Sequence, residues 1–187
     1  MKHCKLMGGM LGLSLVLPFA VATGQAQNGV PSAKVTAETS AAVLIPETTG
    51  TGGWVTVLSS QIKTANKKEL FITVAMETGL FTKTEAPPDA SARASVQGRV
   101  LVDGQEVEPG AVVYGRRIQN LEADEEVELY LNTLDAASFT FVEFDVPVGV
   151  HSIEVQARVD TGGSGDFSAM GAVGKGTLVA ESERMAN

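Results

Sequence analysis

His151 is the residue on which most textual hints of chemistry converge, because the other histidine, His3, falls in an apolar N-terminal segment. A Ser-His-Asp triad or a histidine-ligated metal would have to be built around it. It follows Gly149-Val150, where the chain turns into a strand, and no nucleophile motif accompanies it. The nucleophile elbow G-x-S-x-G is not completed, since Gly162-Gly163-Ser164-Gly165 is followed by Asp166. The expectation is a half-exposed histidine at a strand start. Gly174-Lys175-Gly176-Thr177 fails as a phosphate loop, because the first required glycine falls on Ala169 and the hydroxyl position holds Gly176.

Hard oxygen ligands are the remaining chemistry. Asp160 and Asp166 flank a glycine-rich stretch, and Asp124 and Glu126 sit in a run of five acids between Glu122 and Glu128, so these four are the candidate calcium ligands. Neither place has established calcium spacing: G-G-x-G-x-D would need one more residue before Asp166. A hairpin loop and a solvated acidic turn are the plainer readings of both. Arg116 and Arg117 should point to opposite faces of a strand, with Arg117 an anion contact or, more simply, paired with nearby acids. Trp54, Tyr114 and Tyr130 are few for a sugar-stacking platform, and Glu143 with Asp145 has only the spacing of ordinary exposed strand positions. No catalytic residue and no cofactor is expected.

The elements that would position these groups are strands. Ile153, Val155, Ala157 and Val159 alternate with polar residues at a period of two, and so do Leu70, Ile72, Val74 and Met76, and Val127, Leu129 and Leu131. Asp103-Gly104 suits the positive backbone angles of a tight hairpin turn after Val102. Further strands are expected over 54–59, 112–118, 138–146 and 174–180. About eight or nine short strands separated by turn residues predict an all-β chain folded as an antiparallel β-sandwich. Residues 53–187 form that domain, and 27–52 form a flexible leader in which 41–45 has the composition of an edge strand.

Residues 1–26 read as a signal peptide: Lys2 and Lys5, an apolar run from Leu6 to Ala22, and small residues Gly24 and Ala26 where a peptidase cuts. Its removal from 187 residues leaves 161, and loss of two lysines with no acid moves the net charge from −8 to −10. So acidic a chain is repelled by nucleic acid. The single cysteine, Cys4, leaves with the signal peptide, and no other segment has the length of a membrane span. The expected location is secreted or periplasmic.

The closing stretch, PVGVHSIEVQAR from Pro147 to Arg158 and GKGTLVAE from Gly174 to Glu181, resembles the last two strands of trimeric jelly-roll heads of the C1q and tumour-necrosis-factor type. The wider span from Ser59 to Met185, with ELFITV at Glu69, VLVDGQ at Val100 and GRRIQ at Gly115, is similar to exported bacterial proteins of unknown function. The resemblance implies a jelly-roll sandwich and a trimer, and it implies no activity. The expected function is a secreted non-catalytic structural or binding domain, with a calcium-dependent carbohydrate-binding or adhesion module as the alternative. Leu70-Phe71-Ile72 and the run from Phe139 to Phe144 place apolar groups on both faces of their strands, and the second face is to be covered either by the leader or a long loop of the same chain or by a neighbouring subunit of a homo-oligomer.

Overall fold

A computed structural model describes residues 35–42 and 50–183. The signal peptide expected over 1–26, and residues 43–45 of the expected edge strand, lie outside that range. The described residues form ten strands: β1 (Val35–Ser40), β2 (Gly50–Thr51), β3 (Val55–Thr64), β4 (Lys68–Ala86), β5 (Ala90–Val102), β6 (Gln105–Glu106), β7 (Val112–Leu121), β8 (Val127–Val146), β9 (Gly149–Ser164) and β10 (Asp166–Glu183). Every ladder is antiparallel. One sheet runs β1-β10-β4-β8; in the other, β9 lies between β5 and the pair β2 and β3, and β5 carries β7 and β6 on its far side. The chain therefore changes sheets at β3 to β4, β4 to β5, β7 to β8, β8 to β9 and β9 to β10. That is the winding of a jelly roll, in agreement with the expected fold class.

β4 shows why these residues choose this architecture. Its even positions from Leu70 to Ala86 are all buried and its odd positions all reach solvent, a strict period of two over seventeen of its nineteen residues. Leu70, Ile72, Val74 and Met76 meet Val96 and Val100 of β5, Ile153, Val155 and Val159 of β9, and Phe141 of β8 in one continuous core. Towards Ala86 the sandwich narrows: Thr78, Thr82 and Thr84 face inward from β4, and Ala90, Ala92 and Ala94 from β5. The threonines there are bound by Gln119 of β7, which accepts from Thr82 Oγ1 at 2.6 Å and donates to Thr84 Oγ1 at 2.6 Å and to the Leu129 carbonyl at 2.8 Å. Thr82 and Thr84 are satisfied in this way, whereas the buried Thr78 Oγ1 has no hydrogen-bond partner among the described residues.

Three boundaries differ from the sequence expectation. The edge strand is β1, upstream of 41–45, and it is joined to the opposite sheet by a hydroxyl contact of 2.8 Å between Thr36 and Ser60. Two separate strands expected at 126–131 and 138–146 are the single twenty-residue β8. The glycine-rich stretch after Asp160 is not a loose loop: β9 and β10 continue through it and turn at Gly165, where φ is +69°. The Asp103-Gly104 turn has φ of 50° and 83°, as its composition requires.

Phe141 and Thr140 lie on opposite faces of β8, the first fully buried and the second exposed. Phe141→Ala should cost about 3–5 kcal/mol of unfolding free energy, and Thr140→Ala no more than about 0.5 kcal/mol. Urea titration of both variants checks the assigned register; equal losses would contradict it.

Candidate functional site

The surroundings of His151 differ from the expected half-exposed position. Its ring is buried at 4 % exposure, in the corner where β9 begins. Nδ1 lies 2.7 Å from Asp103 Oδ2, and Nε2 lies 3.1 Å from Thr64 Oγ1 and 2.9 Å from the Pro147 carbonyl. Asp103 Oδ1 accepts from the Ser152 amide at 2.9 Å. On paper this is an acid, an imidazole and a hydroxyl in sequence. Thr64, however, is completely buried, donates to the Pro147 carbonyl and accepts from the Gly149 amide. A hydroxyl enclosed in that way has no room for an acyl donor beside it. What the cluster does is tie the end of β3, the turn after β5 and the corner before β9 to one ring.

The calcium candidates are dispersed. Glu126 and Asp166 come together with Glu85 and Glu128 around an open groove of about 410 Å³ beside Pro87 and Pro88. Lys83 already pairs with Glu85 and, at 2.9 Å, with Glu128, and Tyr130 donates to Glu128 at 2.8 Å. Those hydrogen bonds hold the Glu128 carboxyl below the usual range. Asp160 is elsewhere, on β9 between Ser95 and Thr51, with a buried Oδ1 that has no hydrogen-bond partner. Asp124 stays in the exposed turn before β8. Among the described residues no three histidine, cysteine or acidic side chains are grouped closely enough to hold a metal ion.

The other candidates separate as well. Glu143 is partly buried, and burial together with the charge of Glu108 pushes its carboxyl up. Asp145 turns away to Lys67 at 2.7 Å, so the two carboxylates form no pair. Arg116 and Arg117 do take opposite faces, but Arg117 pairs with no acid, and its Nε is buried without a partner. Tyr114 is in the core, its ring edge-on to Phe139 at 5.0 Å and its hydroxyl donating to the Val74 carbonyl at 3.0 Å; burial pushes that hydroxyl far above its ordinary value. Tyr130 faces out from β8 beside Phe81, and Trp54 lies over β5 and β9 with the guanidinium carbons of Arg99 and Arg158 both 4.4 Å from its ring centre. One ring is in the core and the other two lie on opposite sheets, so they form no platform.

Two features are more continuous than any of these. The first is the outer face of the first sheet. Its rows, read from β1 to β8, are Ala37-Val179-Thr73-Thr140 and Thr39-Thr177-Ala75-Ser138; beyond a bulge in β10 they are Ala172-Gly79-Leu134 and Met170-Phe81-Asn132. Between the Glu181 row and the Lys83 row, Glu77 is the one charged side chain in register among the described residues, with Lys175 in the bulge beside it. Leu134 is 78 % exposed, and Met170 and Val35 are exposed too. The second feature is an open cleft of about 450 Å³ on the second sheet, lined by Gly50, Arg93, Thr161, Gly162, Gly163 and Phe167.

No protein-family model matches the chain, and no curated protein does. Among solved structures the chain is similar to one of infectious bursal disease virus, Gx strain, at 13 % identity and a TM-score of 0.35. The match covers 83 % of this chain and 33 % of that one, a likeness too slight to bear on function.

The corner at His151 gives a pH prediction. Burial works to raise the Asp103 carboxyl, but hydrogen bonds from His151 and Ser152 outweigh it and hold the group below its ordinary value. A carboxyl depressed on folding stabilises the fold above its unfolded value, about pH 4, and that contribution disappears as pH falls through the folded value. Asp103→Asn should therefore cost no more than about 1 kcal/mol at pH 7, since half the side chain is in water, and less at pH 3. Urea unfolding at the two values measures this, and an undiminished loss at pH 3 would contradict it.

Proposed function

We propose that this chain is an exported, non-catalytic structural and binding domain that works as a homotrimer, with the outer face of the first sheet buried between copies. The observation that carries the reading is the state of that face. A sandwich strand with one wet face is ordinarily polar at alternate positions. Between the Glu181 and Lys83 rows the outer positions of β4, β8 and β10 instead hold Phe81, Leu134, Met170 and Val179 among threonine, serine and alanine, with Glu77 the one in-register charge, and Phe71 and Val142 stand in the Glu181 row itself.

The edge of this sheet supports the same reading. β8 pairs with β4 alone along its length, and beyond it the described ladder continues only as a single bridge from Glu108 to Val142. Natural edge strands are blunted by lysine, proline or brevity. β8 has twenty residues and contains no lysine, arginine or proline. Its only charged guards are the acids Glu128, Asp135, Glu143 and Asp145, so the stretch from Ala136 to Phe141 is open to pairing with other chains unless assembly covers it. The resemblance to trimeric jelly-roll heads favours three copies, and the N-terminal apolar segment favours export to a secreted or periplasmic location. Function then resides in the second sheet and the loops, which such an assembly would leave outward. The alternative, a calcium-dependent carbohydrate-binding or adhesion module, draws on the groove shared by Glu126 and Asp166.

Light scattering on residues 27–187 at micromolar concentration should return three times the protomer mass, in calcium and in chelator alike, and Leu134→Glu should lower it while leaving circular dichroism unchanged. A protomer mass would overturn assembly and a dimer would overturn the three-fold part. A trimer that dissociates in chelator would move the reading to the calcium-dependent module.

A further inference from the structure

The chain is acidic overall, yet four of its six arginines, Arg93, Arg99, Arg116 and Arg158, stand on the outer face of the second sheet. Two are occupied. Arg99 donates to Glu106 at 2.8 Å and to Gln156 at 2.8 and 3.0 Å, Arg158 donates to Gln97 at 2.8 and 3.0 Å, and Trp54 covers both. The guanidinium groups of Arg93 and Arg116 make no hydrogen bond or ion pair with any described residue. Arg116 is in register with Ser95, two residues along β5 from Arg93 on the same face, so the two unpaired cations are neighbours.

Arg93 lines the 450 Å³ cleft, and the glycines around it set its shape. Gly162 is its register partner on β9, and a Cβ there would stand 2.9 Å from Arg93 Nε, so only a glycine lets the guanidinium lie along the strand. A Cβ on Gly163 would overlap the Ser91 carbonyl and stand 2.7 Å from the Phe167 ring, which reaches the bare backbone from the inward phase of β10 while Arg93 reaches it from the outer face. Gly50, at φ +98°, has open space where its side chain would be. The result is a glycine floor with an unpaired planar cation on one side and an aromatic ring on the other.

We infer that this cleft binds an acidic saccharide: a pyranose carrying one carboxylate, its anion held in two-pronged fashion by Arg93 and its C–H face laid on Phe167. A guanidinium matches a carboxylate at two points, and a half-covered aromatic ring gives an apolar sugar face somewhere to rest. The carboxylates on the same face, Asp160 and Glu154, together with the acidic balance of the chain, oppose a dense polyanion and favour a ligand of low charge density. The inference rests on the reading of the chain as a binding domain and does not need the trimer.

The test is titration of the mature protein, by calorimetry and by amide chemical shifts, with tetragalacturonate and with the neutral galactose tetrasaccharide. The acidic oligosaccharide should bind and perturb Gly162, Gly163 and Phe167, and the neutral one should not. Arg93→Ala should weaken binding about tenfold or more, the loss of one charge-assisted pair, with Arg93→Lys recovering part of it and the melting temperature unchanged in both. Binding that survives Arg93→Ala, equal binding of the neutral sugar, or displacement by inorganic sulfate at equal charge would each overturn the inference. Light scattering on the same samples separates the two claims: a trimer that binds no acidic sugar removes this site alone, and a monomer that binds it removes the assembly alone.

Discussion

Burial of one side of β4 is the constraint on which the rest of the structure depends. Nine alternate side chains from Leu70 to Ala86 must all be covered, and covering them fixes the sheet on the other side, the register of β10 and β8 alongside, and the direction in which every odd-numbered residue points. At roughly 25 cal/mol per Å² of apolar surface, no local preference of the neighbouring strands competes with that row. Its chemistry also grades the sandwich, from an aliphatic end at Leu70 to a threonine end held by Gln119.

The same row explains why the outer face needs an account. Side chains on β4 alternate, so placing Leu70, Ile72 and Leu80 inside necessarily places Phe71 and Phe81 outside. Across the ladder β8 adds Leu134 and β10 adds Met170 and Val179, and the product is a partly apolar surface that no other described residue covers. The second sheet carries more charge on its outer face: arginine, glutamine, serine and acid are threaded with amide and guanidinium contacts around Trp54, with Val113, Ile118 and Val150 exposed among them.

Much of this was legible in sequence where alternation was strict. β4 and β9, the Asp103-Gly104 turn and the fold class follow from period and turn chemistry alone. The misses have physical causes. Asn132, Asp135, Ala136 and Ser138 have weak strand preference and read as a break, but β4 is nineteen residues long and offers a ladder that carries β8 straight through them. Gly162 to Gly165 read as a loop by composition, whereas close approach of Arg93 and Phe167 to bare backbone requires those glycines inside a hairpin. His151 lies on the inward phase of β9, in step with Ile153, so its burial was implied by the same alternation; what periodicity could not show is the Asp103 carboxylate waiting there. Arg117 was expected to find an acid, but it sits on the inward phase of β7 while the acids of the following turn point to water. The acidic groove, the cleft at Arg93 and the uncovered face depend on which strands are neighbours, and a single sequence does not state that.

The central claim is that the outer face of the first sheet is covered by other copies, and side-chain labelling by hydroxyl radicals at an assembling concentration addresses it most directly. Leu134 and Met170 on that face can be compared with Ile118 on the second sheet, which is 58 % exposed in the single chain. The account predicts strong protection of Leu134 and Met170 that is lost on dilution, with Ile118 labelled throughout. Labelling of Leu134 at the rate of Ile118 under assembling conditions would contradict it.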